Sequence, residues 1–77
     1  MMAAMDLIDF ELRGDHITLD ALLKATGVAD SGGAAKAMVA DGKVQVDGQQ
    51  ELRKTCKIRA GQVVALAGMR IKVRAAT

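Results

Sequence analysis

The sequence predicts an α+β fold: one strand, two short helices, then a run of strands. Three observations carry this. Apolar and polar residues alternate near both ends of the chain. Leucines and alanines recur at helical spacing between residues 18 and 41. Glycine-containing breaks such as Gly14-Asp15, Asp41-Gly42 and Asp47-Gly48 separate the segments. At 77 residues the chain has the length of one domain, expected to span residues 1–77 without repeats or linkers. A chain this short buries only about 60% of its unfolded surface, which leaves little room for an enclosed substrate pocket.

Each element has a local reason. From Leu7 to Arg13, Ile8, Phe10 and Leu12 fall on one face and Asp9, Glu11 and Arg13 on the other, as in a half-buried strand. Thr18 or Asp20 stands where a cap would open a first helix bearing Leu19, Leu22 and Leu23 at i, i+3 and i+4, and Gly27 ends it. Ser31 is the expected cap of a second helix with Ala35, Met38 and Val39 as its apolar stripe, stopped at Asp41-Gly42. Val44 and Val46 point inward from the next short strand, and Asp47-Gly48 is a two-residue hairpin turn. Gln49 to Arg59 reads as extended, and Val63 to Ala67 as a short buried strand. A final strand sets Met69, Ile71 and Val73 against Arg70, Lys72 and Arg74.

Catalytic material is scarce. The chain has one histidine, His16, in a predicted turn, and one serine, Ser31, in a capping position. Its one cysteine, Cys56, has the character of a small buried apolar residue. One Cys and one His cannot build a four-ligand zinc site. The spacing Gly27 to Gly32 matches the glycines of a phosphate loop, but Gly33 and Ala34 stand where that loop needs lysine and a hydroxyl. No enzymatic activity, metal or cofactor is expected. A lone cysteine fits a reducing compartment, and the sequence shows neither a secretory signal nor an apolar run of the roughly 20 residues that span a bilayer. A cytoplasmic monomer without a membrane partner is therefore the expectation.

Charge is distributed unevenly. The net charge is only +2, but residues 1–20 hold five acids and one base, whereas residues 52–77 hold seven bases and no acid. Two readings follow: a polyanionic partner, nucleic acid first, or internal pairing of an acidic strand with a basic one. Gly32 and Gly33 pose a related question, since each glycine costs roughly 1 kcal/mol against alanine inside a helix. Bare N–H groups at a helix start attract phosphate, and Lys36, one turn later, leans back over them. Lys43 follows seven residues on, near the same helical face. The other reading is close packing of the two helices. If residues 53–59 are extended, Arg53, Thr55, Lys57 and Arg59 share one face, uninterrupted by acids. The near absence of aromatics argues against stacking on single-stranded bases and for phosphate-based recognition of folded RNA.

At these residues the sequence resembles the RNA-binding domain named after ribosomal small-subunit protein S-four, and in particular its small stand-alone YbcJ-like members. The motifs are "I-x-L-x-x-L-L" at Ile17 to Leu23, "S-G-G-x-A-K" at Ser31 to Lys36 and "G-x-V-x-V-[ND]-G" at Gly42 to Gly48. "R-K-x-C-K-I" at Arg53 to Ile58 and "G-[DQ]-x-V" at Gly61 to Val64 follow. The core of the match covers residues 17–64. It departs at Thr18 and Gly32, where family members often carry arginine. The resemblance implies an αL motif, two short packed helices followed by a β-hairpin, on a small, mostly antiparallel sheet. It implies binding of structured RNA, ribosomal or tRNA-like, through Ser31, Gly32, Gly33, Lys36, Lys43, Gly48, Arg53, Lys54 and Lys57. The competing expectation is a protein–protein adaptor whose charges confer only solubility.

Overall fold

The computed structural model describes residues 6–66 and 68–76. Its elements are β1 (Asp6–Leu12), β2 (Ile17–Thr18), α1 (Leu19–Ala25), α2 (Gly32–Ala40), β3 (Gln45–Val46), β4 (Gln49–Gln50), β5 (Lys57–Ile58), β6 (Val63–Leu66) and β7 (Met69–Ala75). Five strands form one sheet in the order β1-β7-β6-β3-β4, and β2 pairs with β5 in a second, two-stranded sheet. All pairings are antiparallel except β1 with β7, which run parallel in the register Asp6 to Met69 through Leu12 to Ala75. This is the expected α+β architecture with a mostly antiparallel sheet.

One apolar cluster joins the elements. Leu19, Leu22 and Leu23 of α1 and Ala35 and Val39 of α2 are fully buried with Val44, Ile58, Val64 and Ile71. Each leucine so buried contributes about 1.5–3 kcal/mol. The helices cover only one face of the five-stranded sheet. β6 therefore alternates between buried Val64 and Leu66 and half-buried Val63 and Ala65, where the continuous apolar run predicts burial on both faces. Ala67, assigned to the same strand by sequence, lies outside the described residues.

Two expectations change in the structure. First, residues 53–59 are not continuously extended: Cys56 N–H donates to the Arg53 carbonyl at 3.2 Å, closing a turn, and strand structure resumes only at Lys57. Second, Thr18 makes no side-chain cap to α1. Asp20 Oδ1 accepts from the Ala21 N–H at 2.8 Å, and the Leu19 and Asp20 N–H groups donate to the carbonyls of Cys56 and Lys54, at 2.9 and 3.0 Å. A distant loop thus satisfies the first two orphan donors of this helix start. β2, of two residues, is too short to show an alternation in the sequence.

The stop of α2 is a Schellman arrangement. Gly42, at φ +75°, donates to the Val39 carbonyl, and Lys43 N–H to that of Met38. At the hairpin, Asp47 and Gly48 both take positive φ, +53° and +84°, as a two-residue type I′ turn requires. Asp47 also fastens the turn to the sheet. Its Oδ2 accepts from Gln62 Nε2 at 3.0 Å and its Oδ1 from the Val63 N–H at 3.1 Å.

The Gln62 and Val63 bonds hold the Asp47 carboxyl below its ordinary value. Their stabilisation is present above the ordinary carboxylate pKa and is lost as pH falls through the lowered one. Asp47→Asn keeps the turn conformation and is expected to lower the urea midpoint at about pH 7, by an amount that shrinks as pH falls through the lowered carboxyl value. A loss that stays constant from neutral to acidic pH would show that the carboxylate is not the fastening group.

Candidate nucleic-acid interface

Ser31 opens α2 with extended backbone, φ −153°, and its Oγ accepts from the Ala34 N–H at 3.1 Å. Ala35 N–H donates to the Ser31 carbonyl. The cap thus serves the third and fourth donors of the helix. The first two, on Gly32 and Gly33, have no acceptor among the described residues. There is no acid in the first turn.

The glycines are not there for packing. A Cβ at Gly32 would meet nothing within 4 Å, and one at Gly33 only Ser31 Oγ at 3.8 Å, an ordinary contact. Neither glycine has the positive φ that would require it. Of the two readings the sequence leaves open, helix–helix packing is excluded. What remains is a helix start with two bare donors and open approach, the geometry that accepts an anion.

Lys36 projects from the next turn toward the start of α1. There the Thr18 hydroxyl, then the Ala21 N–H and the Lys36 ammonium, hold the Asp20 carboxyl below its ordinary range. Asp20 also donates its N–H to the Lys54 carbonyl, and Lys57 pairs in register with Thr18 across β2–β5. Lys36, Lys54 and Lys57 therefore converge on residues 18–20. Asp20 is an acid in the midst of this group, and its helix-capping context conceals that in the sequence.

The basic segment after the hairpin is arranged differently from the expected stripe. The turn at residues 53–56 breaks period-2 alternation, so Arg53 and Thr55 do not share a strand face with Lys57 and Arg59. Arg53, Thr55, Cys56 and Lys57 instead surround one shallow depression. The segment also has an acid at its border. Glu51 accepts from Arg53 Nε at 3.1 Å and from the Arg53 N–H at 3.0 Å, which keeps the carboxyl low and the guanidinium high. Burial, then the Glu51 carboxylate, pushes the Cys56 thiol up, away from thiolate chemistry.

Two of the sequence-selected residues lie elsewhere. The glycine reversal at Gly42 turns Lys43 off the helix and into line with β3, where it borders the outer sheet face with Gln45 and Arg70. Gly48 borders that same face at the hairpin tip. Lys36, one turn past the Ser31-Gly32-Gly33 start, shares the neighbourhood of Asp20 with the Lys54 and Lys57 segment, whereas Lys43 and Gly48 border the outer sheet face. Among the described residues, no cluster of His, Cys, Asp and Glu could hold a metal ion, and no helix is long and apolar enough to cross a membrane.

The acidic and basic ends of the chain do meet. Asp9 and Glu11 lie beside Lys72 and Arg74 in the β1–β7 register, and Arg74 Nε sits 3.0 Å from both Asp9 carboxylate oxygens. Part of the charge asymmetry is thus spent within the sheet, and the cations of the helix-and-turn group remain outside that pairing.

A packed helix pair, a tight hairpin and a cationic turn on a half-covered sheet define a small α+β module of the αL type. A family model described as the S4 domain matches residues 10–74, and the chain belongs to that family. It is 50% identical to YbcJ of Escherichia coli K12 over 58 residues, 75% of this chain and 83% of that protein. The same figures hold for YbcJ of Shigella flexneri. The solution structure of E. coli YbcJ, described as revealing an αL motif involved in RNA-binding, superposes with a TM-score of 0.66 at 42% identity. It covers 96% of this chain and 92% of that one.

Because the fold does not need Gly32 or Gly33, the double variant Gly32→Ala/Gly33→Ala is expected to fold and to gain roughly 0.5–1 kcal/mol per site in urea unfolding. A loss of stability would mean that one of these glycines has a structural role after all.

Proposed function

We propose that the chain is a single S4-type domain that binds structured RNA, and that it holds phosphate groups at the α2 start with help from Lys36, Lys54, Lys57 and the free guanidinium edge of Arg53. The observation that carries this reading is the pair of unpaired, unobstructed N–H groups on Gly32 and Gly33, at glycines the fold itself does not use. Membership of the S4 domain family and the likeness to YbcJ support the choice of RNA as the polyanion. The composition supports recognition of shape rather than of splayed bases, since one phenylalanine is the whole aromatic content. The reading has no catalytic or cofactor component, and its setting is a cytoplasmic protein acting on ribosomal or tRNA-like RNA.

Phosphate binding releases counterions, so the affinity should fall with salt at a log–log slope of about −0.7 to −0.9 per phosphate contacted. In a fluorescence-polarisation titration, an RNA hairpin is expected to bind more tightly than a matched DNA duplex or heparin. Lys36→Gln/Lys57→Gln, which avoids placing a new acid beside Asp20, is expected to weaken RNA binding about tenfold or more while its circular dichroism stays unchanged. Equal affinity for all three polyanions, or full binding by the folded variant, would refute the assignment and favour a protein partner.

A further inference from the structure

The helices leave the outer face of the five-stranded sheet open. On that face, Ala65 of β6 lies in register between Gln45 of β3 and Arg70 of β7. A methyl group between two long side chains leaves a hollow. Two adjoining depressions share Gln45, Ala65 and Arg70; one extends to Lys43 and Gly68, the other to Asp47 and Gly48.

The hollow carries more positive than negative charge: Lys43 and Arg70 stand against one lining acid, Asp47, whose carboxylate is turned to Gln62 Nε2 and the Val63 N–H. Among the described residues, neither Lys43 nor Arg70 forms an ion pair. Arg70 registers against Leu7, which is 66% exposed, and against Ala65, so its immediate cross-strand neighbours carry no charge. β7 and β3 are separated by one strand, which places their backbones about 10 Å apart. Side chains as long as those of Arg70 and Lys43 reach over Ala65 from opposite sides of such a gap. The guanidinium offers a fork of donors, the ammonium a point charge and Gln45 an amide, a combination that suits phosphate oxygens. The dish is shallow and open, so it fits a phosphodiester carried by a larger polyanion better than a small anion bound alone.

We propose that the outer sheet face around Ala65 is a second phosphate contact, in which Arg70 and Lys43 grip the backbone of the RNA on the side away from the helices. This rests on the RNA-binding reading and extends it from one face of the molecule to two.

The test uses the full chain and the same RNA hairpin over a salt series, with the variants Lys43→Gln/Arg70→Gln and Ala65→Ile. The first removes the charges. The second fills the hollow with a strand-forming residue and leaves every charge in place. The charge variant is expected to flatten the log–log salt slope by about 0.7–0.9 for one lost phosphate and to weaken binding several-fold. Ala65→Ile is expected to weaken binding with the hollow filled, and wild-type amide resonances of Gln45, Ala65 and Arg70 should shift on titration with RNA. Unchanged affinity and slope in both folded variants, with shifts confined to residues 31–36 and 53–57, would overturn the second contact, leave the helix-side site standing and mark the sheet face as a surface for protein. Absence of RNA binding by the wild type would overturn both.

Discussion

The site depends on how the first helix begins. Thr18 gives α1 no side-chain cap, and the first two N–H groups of the helix are satisfied by the carbonyls of Cys56 and Lys54, contributed from beyond the hairpin. Two hydrogen bonds thus fix a turn that would otherwise be a surface loop. They set Lys54 against Asp20, bring β5 alongside β2 and put Lys57 opposite Thr18. A backbone donor left unpaired at a buried helix end costs about 1–3 kcal/mol, so the turn and the helix hold each other in place. The lysines are positioned by main-chain geometry, and their side chains stay available.

The same division of labour governs charge. Asp9 and Arg74 neutralise one another on the open sheet face, and Glu51 anchors Arg53 by one edge. These exposed pairs add little stability, about 0–1 kcal/mol each. Their greater effect is on where the positive potential is left. It survives at the α2 start and the turn after the hairpin, where Asp20 tempers it, and around Ala65. Net charge alone, at +2, conceals this pattern.

Much of this was legible in the sequence because local rules act there. The Ser31 cap, the Gly42 stop, the Asp47-Gly48 turn and the alternation of β1 and β7 depend on residues close together in the chain, and all are found as expected. The features that were not legible depend on contacts across the chain. The α1 donors find carbonyls more than thirty residues away, and Glu51, just outside the basic segment, reaches into it. Period-2 reasoning failed at residues 53–56 because a turn intervened between two pieces that are polar in the same way. Lys43 does not lie near the face of Lys36, because helical spacing does not carry past the Gly42 stop, where the chain leaves the helix for β3. Arg70 looks like Lys72 and Arg74 in the sequence, and only the register with Ala65 distinguishes it.

The parallel β1–β7 pair has a consequence for how the molecule comes into being. β1 is hydrogen-bonded to β7 alone, and β7 is the last of the described strands. Synthesis proceeds from the N-terminus, so β1, the first of these strands to be made, is the last of them to be paired. The helices, the hairpin and β6 can assemble through short loops while Ile8 and Phe10 wait without a neighbour. Closing so long a loop is the slow part of forming such a sheet. The strand that waits is no bare apolar edge, since Asp9 and Glu11 alternate with Ile8 and Phe10 along it.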